Sequence, residues 1–147
     1  MRRALLVAAI LAVVIAASVP MRAHHSHPAF YDACTSLTIE GQIDSVQWKN
    51  PHVLLDVTTT DGKEYRADWT SMGALERNKI EPPKVGDRVV ITGNPMRDVA
   101  EIRARFPDLK LEPPQKPVLD VRQIRGAGGS WRWMTGPDVV PPKCGEK

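Results

Sequence analysis

The chain has 147 residues, of which 20 are Lys or Arg and 17 are Asp or Glu. Three of the basic residues, Arg2, Arg3 and Arg22, lie in the N-terminal leader, so the rest of the chain carries 17 basic and 17 acidic residues and no net charge. This balance argues against a nucleic-acid-binding protein, because such proteins need a basic surface to neutralise phosphates. About 120 residues remain after the leader, which is enough for one small domain.

The N-terminus has the pattern of a secretory signal. Arg2 and Arg3 precede a run of Ala, Leu, Val and Ile over residues 4–19, which Pro20 ends. This run is shorter than the roughly 20 apolar residues of a membrane span. We therefore predict a signal peptide over 1–23 and no membrane span after its cleavage, with a retained anchor as the alternative. The prediction places the protein in the periplasm of a Gram-negative bacterium or outside the cell.

Two positions fit cleavage of this signal. Ser18, with Ala16 two residues before it, forms a small-x-small site. Ala23 is also small, but Met21 precedes it by two residues, which is a poorer match. Cleavage after Ala23 makes His24 the new N-terminus, whereas cleavage after Ser18 leaves the histidines inside a leader. The sequence leaves both sites open.

The segment after the leader alternates apolar and polar side chains, which is typical of β-strands. Turn signals at Asn50-Pro51 and Asp61-Gly62 divide it. Gly41 interrupts the first part and indicates a bulge or a bend. We predict three consecutive antiparallel strands over residues 37–48, 52–60 and 64–69.

The hydrophobic period changes after the third strand. Residues 71–79 suit a short helix with Ser71 as its N-cap, and Glu81-Pro82-Pro83 stops any continuation. A fourth strand is predicted over 88–92. A fifth is predicted over 100–106, where Ile102, Ala104 and Phe106 alternate with charged side chains.

The predicted order β-β-β-α-β-β is that of a small five-stranded OB-like barrel. We therefore predict a mainly β fold, with one short helix between strands 3 and 4 and the barrel domain over residues 24–111. An open β-meander with one packed helix is the alternative.

The composition shifts after the predicted fifth strand. Residues 107–147 contain 7 of the 13 prolines and 5 of the 10 glycines of the chain. We predict an irregular, Pro/Gly-rich C-terminal tail over 112–147, in which Trp131 and Trp133 cover part of the barrel or grip a partner.

The two cysteines, Cys34 and Cys144, lie near the two ends of the exported chain. Exported proteins meet oxidising conditions, so we predict a disulfide between them. Two free or intermolecular thiols are the alternative.

Three sequence blocks together resemble a known family. They are His24-His25-Ser26 followed by the aromatic Phe30, the stretch "VQWKNPH" over 46–52, and "KVGDRVVITGNPMRD" over 84–98. This combination is similar to the small exported bacterial family called domain of unknown function 6152, over roughly 24–111. The resemblance implies a β-rich, OB-like exported domain, and it implies no biochemical activity.

The histidines form a candidate metal site. His24, His25 and His27 lie within four positions, and His52 follows the Asn50-Pro51 turn. Imidazole binds copper, zinc and nickel, and a free amine beside His24 would favour Cu(II) among them. We therefore name His24, His25, His27 and His52 as metal ligands and copper as the candidate cofactor. The alternative is a solvated leader and a strand-end histidine bonded to backbone.

Two functions are compatible with these features. The first is an exported, non-enzymatic OB-like binding module for a small ligand or an envelope protein, with Trp48, Asn50 and Trp69 as groove residues. Burial in the core is the alternative for the two tryptophans. The second is a periplasmic copper-binding protein that uses the N-terminal histidines. An enzyme is disfavoured, because no nucleophile, base and orienting group can be named together.

Overall fold

The computed structural model describes residues 27–126, 132–134 and 144. A short helix is followed by a three-stranded antiparallel meander, whose strands begin and end close to the predicted turns. These elements are α1 His27–Phe30, β1 Leu37–Gln47, β2 Leu54–Thr59 and β3 Glu64–Asp68.

The second half alternates helices and strands. A helix after β3 begins at the predicted N-cap, because the side chain of Ser71 accepts a hydrogen bond from the backbone N–H of Ala74. The elements are α2 Met72–Arg77, β4 Arg88–Pro95, α3 Val99–Arg105, β5 Val118–Gly126 and β6 Arg132–Met134. Within the described residues, none of the helices has the length and apolar character needed to cross a membrane.

The strands close into a barrel. β1 pairs with both β2 and β4, β2 pairs with β3, and β4 pairs with β5, all antiparallel. A parallel pairing between β3 and β5 completes the ring, and β6 pairs antiparallel with β5. This five-stranded mixed barrel confirms the predicted OB-like fold rather than the open meander.

The prediction of a strand over 100–106 is wrong, because Val99–Arg105 form the helix α3. The side chain of Asp98 caps this helix by accepting a hydrogen bond from the N–H of Ala100 at 2.7 Å. Ile102, three residues after Val99, is then fully buried. Apolar residues three positions apart, such as Val99 and Ile102, lie on one face of a helix. The alternation from Ile102 to Phe106 has the period of a strand, so the short segment fits both patterns.

The fifth barrel strand is β5, which lies in the segment predicted to be an irregular tail. Leu119, Val121 and Ile124 of this strand enter the core. The prediction of irregular structure from residue 112 is therefore wrong for 118–126 and for 132–134, and the barrel extends past residue 111. Trp133 on β6 is 8% exposed and covers the core, in agreement with the covering role predicted for it. Trp131 lies outside the described residues.

The core fills the barrel and the space beneath α2. Leu75 of α2 is fully buried, and Trp69 at the end of β3 is 2% exposed. The largest fully buried side chains are Trp69, Ile43, Leu55, Leu75, Ile91, Ile102, Leu119 and Ile124. Burial of about this many large apolar side chains is the main favourable term in folding a small domain.

The predicted disulfide is present. Cys34 and Cys144 are bonded, with their Cα atoms 5.7 Å apart and a sequence separation of 110 residues. The bond fastens the end of the chain to the segment between α1 and β1.

Gly41 lies where β1 pairs with both neighbours, opposite Thr59 on one side and Val89 on the other. The strands approach so closely that a Cβ atom at this position would lie 2.4 Å from the carbonyl oxygen of Thr58. The bulge predicted at Gly41 is found just beyond it, between Ile43 and Ser45.

We expect Gly41→Ala to lower the free energy of unfolding by about 3 kcal/mol, because the backbone of β2 must move to admit the methyl group. Gly73→Ala is the matched control. Its Cβ would meet only the end of the Arg77 side chain at 3.6 Å, and a helical alanine stabilises by up to about 1 kcal/mol. Urea unfolding followed by circular dichroism measures both, and equal stability of the two variants would contradict the crowding at Gly41.

Candidate functional site

Two of the four predicted metal ligands meet at one end of the barrel. His27 belongs to α1, and His52 lies in the loop between β1 and β2. Their rings are nearly parallel, with an angle of 16° between planes and 6.3 Å between ring centres. The chain thus brings together two histidines that are 25 positions apart in sequence.

His52 is held by a carboxylate at the end of β3. Its Nδ1 atom lies 2.7 Å from Oδ1 of Asp68. The other oxygen of Asp68 accepts a hydrogen bond from the hydroxyl of Tyr31 at 2.5 Å. Burial and the neighbouring Asp68 raise the pKa of the Tyr31 phenol, so the phenol stays protonated and remains a donor. Asp68 is therefore fixed from two sides.

His27 is held by a second carboxylate, at the start of β5. Its Nδ1 atom lies 3.1 Å from Oδ2 of Asp120, and Nη1 of Arg122 lies 3.6 Å from the same oxygen. The side chain of Asp120 is 8% exposed, whereas that of His27 is 43% exposed. Burial raises the pKa of Asp120, and the charges of His27 and Arg122 oppose that rise.

The two carboxylates are neighbours because of the barrel closure. In the parallel pairing of β3 with β5, Asp68 and Asp120 lie directly opposite each other. We call His27, Tyr31, His52, Asp68 and Asp120 the histidine–carboxylate cluster. Its acidic members lie on strands of the barrel, and its histidines lie on a loop and a short helix. Because each histidine contacts one of these carboxylates, the barrel strands determine the positions of the imidazole rings.

The segment that carries His27 is anchored by residues at the end of β4 and just after it. The backbone N–H of Arg97 donates to the carbonyl of Phe30, and its Nε donates to the carbonyl of Pro28. The side chain of the buried Asn94 donates to the carbonyl of Thr35 at 2.7 Å. The sequence blocks around His27, His52 and Arg97, which carry the family resemblance, therefore converge on this end of the barrel.

The other predicted site residues are Trp48, Asn50 and Trp69. Trp69 is buried in the core, where its ring meets those of Trp48 and Trp133 edge to face at 6.3 and 5.5 Å. Trp48 is half-buried against the core and Asn50 is exposed. A shallow groove of about 310 Å³ lies elsewhere, on β1, β2 and β4, lined by Gly41, Gln42, Asp44, Thr58, Thr59, Thr60 and Arg88.

His24 and His25, the other two predicted ligands, lie outside the described residues. Among the residues that the structure describes, no three His, Cys, Asp or Glu side chains are grouped so that they could hold a metal ion. The described part of the cluster thus offers two imidazoles, each backed by a carboxylate. Such a carboxylate behind the second ring nitrogen is the usual environment of a metal-binding histidine.

Sequence reasoning misses Tyr31 and Asp120. Asp120 lies in a strand where the sequence predicts an irregular tail, so its burial is not predicted. Asp68 belongs to the alternating pattern of the third strand, and the sequence does not distinguish it from Asp56 on the neighbouring strand. Asp56 accepts two hydrogen bonds from Arg66, of 2.8 and 3.1 Å, and not from a histidine. The unusual carboxylate inside the apolar pattern "VLDV" is the one signal in the sequence for Asp120.

Comparison with protein families matches most of the chain to a family model. A family model described as a family of unknown function, DUF6152, matches residues 11–103. The matched range includes His27, His52 and Asp68 and ends before β5. A search of curated proteins finds no match to the chain.

Proposed function

The chain belongs to DUF6152, a family of unknown function, and we propose that it is an exported binding module that holds a transition-metal ion at the histidine–carboxylate cluster. The observation that carries this proposal is the pair of neighbouring, nearly parallel imidazoles, each with Nδ1 against a carboxylate oxygen. Imidazole nitrogen favours Cu(II) among the divalent first-row metals.

The two rings are neighbours, with 6.3 Å between their centres. Nitrogen ligands bind such ions at about 2.0 Å, so one ion would contact both rings only with their Nε2 atoms turned toward each other. Two imidazoles do not complete a coordination sphere, and we propose that His24 and His25 supply further nitrogens. With cleavage after Ala23, the new terminal amine would join them.

The charge of the cluster also supports a cation rather than an anion as ligand. Two carboxylates, Asp68 and Asp120, lie side by side with low exposure, and Arg122 is a cation that contacts one of them. A buried pair of carboxylates is stabilised by positive charge nearby. A divalent ion bound by the two histidines would supply that charge.

Titration of Cu(II) into the exported, purified protein tests the proposal. Mass spectrometry first fixes the mature N-terminus, for which we propose His24. We expect one Cu(II) per chain, and we expect His52→Ala and His27→Ala each to weaken binding at least about tenfold, since each removes one ligand. The double variant His24→Ala, His25→Ala should weaken binding as well.

His52→Ala is the decisive variant. His52 belongs to the barrel, so an N-terminal segment that bound Cu(II) by itself would not need this histidine. Asp56→Asn is the matched control, since its carboxylate engages Arg66 and not a histidine. Binding that survives unchanged in every histidine variant would rule the proposal out.

A further inference from the structure

We propose that the shallow groove on the outer surface of β1, β2 and β4 binds a saccharide unit that carries a carboxylate, that is, a hexuronate. The groove contains none of the residues of the histidine–carboxylate cluster, so this inference is independent of the metal site proposed above. Its volume of about 310 Å³ lies at the lower end of the range of small-molecule sites and is enough for one sugar ring.

The floor of the groove is a row of polar side chains across three strands. Arg88 of β4 pairs with Gln42 of β1, and Gln42 pairs with Thr58 of β2. Because paired residues on neighbouring strands point to the same face of a sheet, these three side chains stand on one outer surface. None of the described residues that line the groove has a large apolar side chain, which suits a ligand rich in hydroxyl groups.

Two of these side chains are oriented by the protein as hydrogen-bond acceptors. The hydroxyl of Thr58 donates its proton to Oδ2 of Asp44 at 2.6 Å, so the hydroxyl oxygen is an acceptor toward a ligand. The amide nitrogen of Gln42 donates to the carbonyl of Gly86 at 3.0 Å, which fixes the amide and leaves its oxygen as an acceptor. Sugar hydroxyl groups are donors that match such a pair of acceptors.

Two arginines stand on the β4 side of the groove. The side chain of Arg88 is 57% exposed, and its contact with Glu40 is long, at 3.8 Å between Nη2 and Oε1. Arg125 of β5 is exposed and pairs with Val90, two residues along β4 from Arg88. Diagonal neighbours of this kind are about 7–8 Å apart, which long side chains span, so both guanidinium groups can reach one anion. Guanidinium binds a carboxylate through two parallel hydrogen bonds.

The combination of arginines and acceptors determines the ligand class. The arginines favour an acidic group, and the acceptors beside them favour hydroxyl groups on the same small molecule. A hexuronate has both, whereas acetate lacks the hydroxyl groups and glucose lacks the acidic group. Glu40 would compete with the ligand carboxylate, because both are anions that bind the guanidinium of Arg88.

NMR titration of the purified protein with three probes tests the proposal. We expect sodium glucuronate to shift the backbone amide signals of Gln42, Thr58 and Arg88 in ¹H–¹⁵N correlation spectra, with a dissociation constant of about 1 mM. Glucose and acetate should bind at least about tenfold more weakly, because each lacks one part of the contacts. Glucuronate that binds no better than acetate or glucose would overturn the proposal.

Substitutions in the groove locate the binding. Arg88→Gln and Arg125→Gln should each weaken glucuronate binding at least about fivefold, since each removes one guanidinium group. Glu40→Gln should strengthen it about two- to fivefold, because the competing carboxylate is lost. A role of these side chains in stability alone would not produce this opposite pair of effects.

Arg105→Gln is the matched control. Arg105 is an exposed arginine that contacts Glu101 on α3 and does not line the groove, so its loss should leave glucuronate binding unchanged. All the substituted side chains are exposed, and circular dichroism confirms that each variant is folded. Unchanged binding in both Arg88→Gln and Arg125→Gln, or absence of any shift at about 20 mM glucuronate, would rule the hexuronate site out.

Discussion

Replacing both cysteines, in the variant Cys34→Ser, Cys144→Ser, should lower the free energy of unfolding by about 4 kcal/mol. The bond closes a loop with a sequence separation of 110 residues, so its loss frees almost the whole barrel in the unfolded chain. In a domain of this size the melting temperature should fall by roughly 15 °C. Thermal unfolding monitored by circular dichroism measures the change.

A reductant provides the control for this result. The wild type in dithiothreitol should approach the stability of the double variant, and the double variant should not respond to the reductant. A wild type that melts at the same temperature with and without reductant would contradict the expected contribution of the bond. Similar loops give smaller effects where the unfolded chain keeps residual structure.

Trp69→Ala should lower the free energy of unfolding by about 4 kcal/mol, the largest effect that we expect from a single substitution. Trp69 is 2% exposed and meets Trp48 and Trp133 edge to face. Truncation leaves a cavity under the end of β3 and removes both aromatic contacts. Urea unfolding followed by circular dichroism gives the free energy without relying on tryptophan fluorescence.

Trp48→Ala is the matched control, because Trp48 is only half-buried against the same core. Trp48→Ala should lower the free energy of unfolding by about 2 kcal/mol, because Trp48 buries less apolar surface than Trp69. If the two alanine variants were equally stable, Trp69 would not be the centre of this aromatic group.

The first four strands and α2 are predictable from sequence because their signals are local. Asp61-Gly62 marks a hairpin, Ser71 caps a helix, and the strands alternate cleanly between these points. In α3 the local signals conflict. Glu101 contacts Arg97 and Arg105, each four residues away, which favours a helix, while Ile102 and its alternating neighbours suggest a strand.

The fifth strand escapes prediction because its alternation is broken. The register of β5 against β4 shifts between Thr92 and Gly93, which places Arg122 in a bulge. Leu119, Asp120 and Val121 are buried in succession before this bulge. A strand with three buried residues in a row and prolines before it resembles a loop when only sequence periodicity is considered.

Half of the candidate site is predictable from sequence. The chemistry of the imidazole side chain is enough to single out His27 and His52, and both lie in the histidine–carboxylate cluster. Their partners Asp68 and Asp120 cannot be assigned in this way, because the two carboxylates meet only through a pairing of strands that are about fifty residues apart in sequence. No local pattern encodes such a pairing.

The parallel pairing of β3 with β5 has a consequence for the order of folding. Hairpins between β1, β2 and β3 involve short loops and can form early, whereas the β3–β5 contact requires closure of a long loop. A chain in which only the meander has formed contains Asp68 and His52 but lacks Asp120 beside them. The complete cluster therefore exists only after the ring of strands has closed, and a metal ion that needs both histidines in place would bind the finished barrel in preference to its folding intermediates.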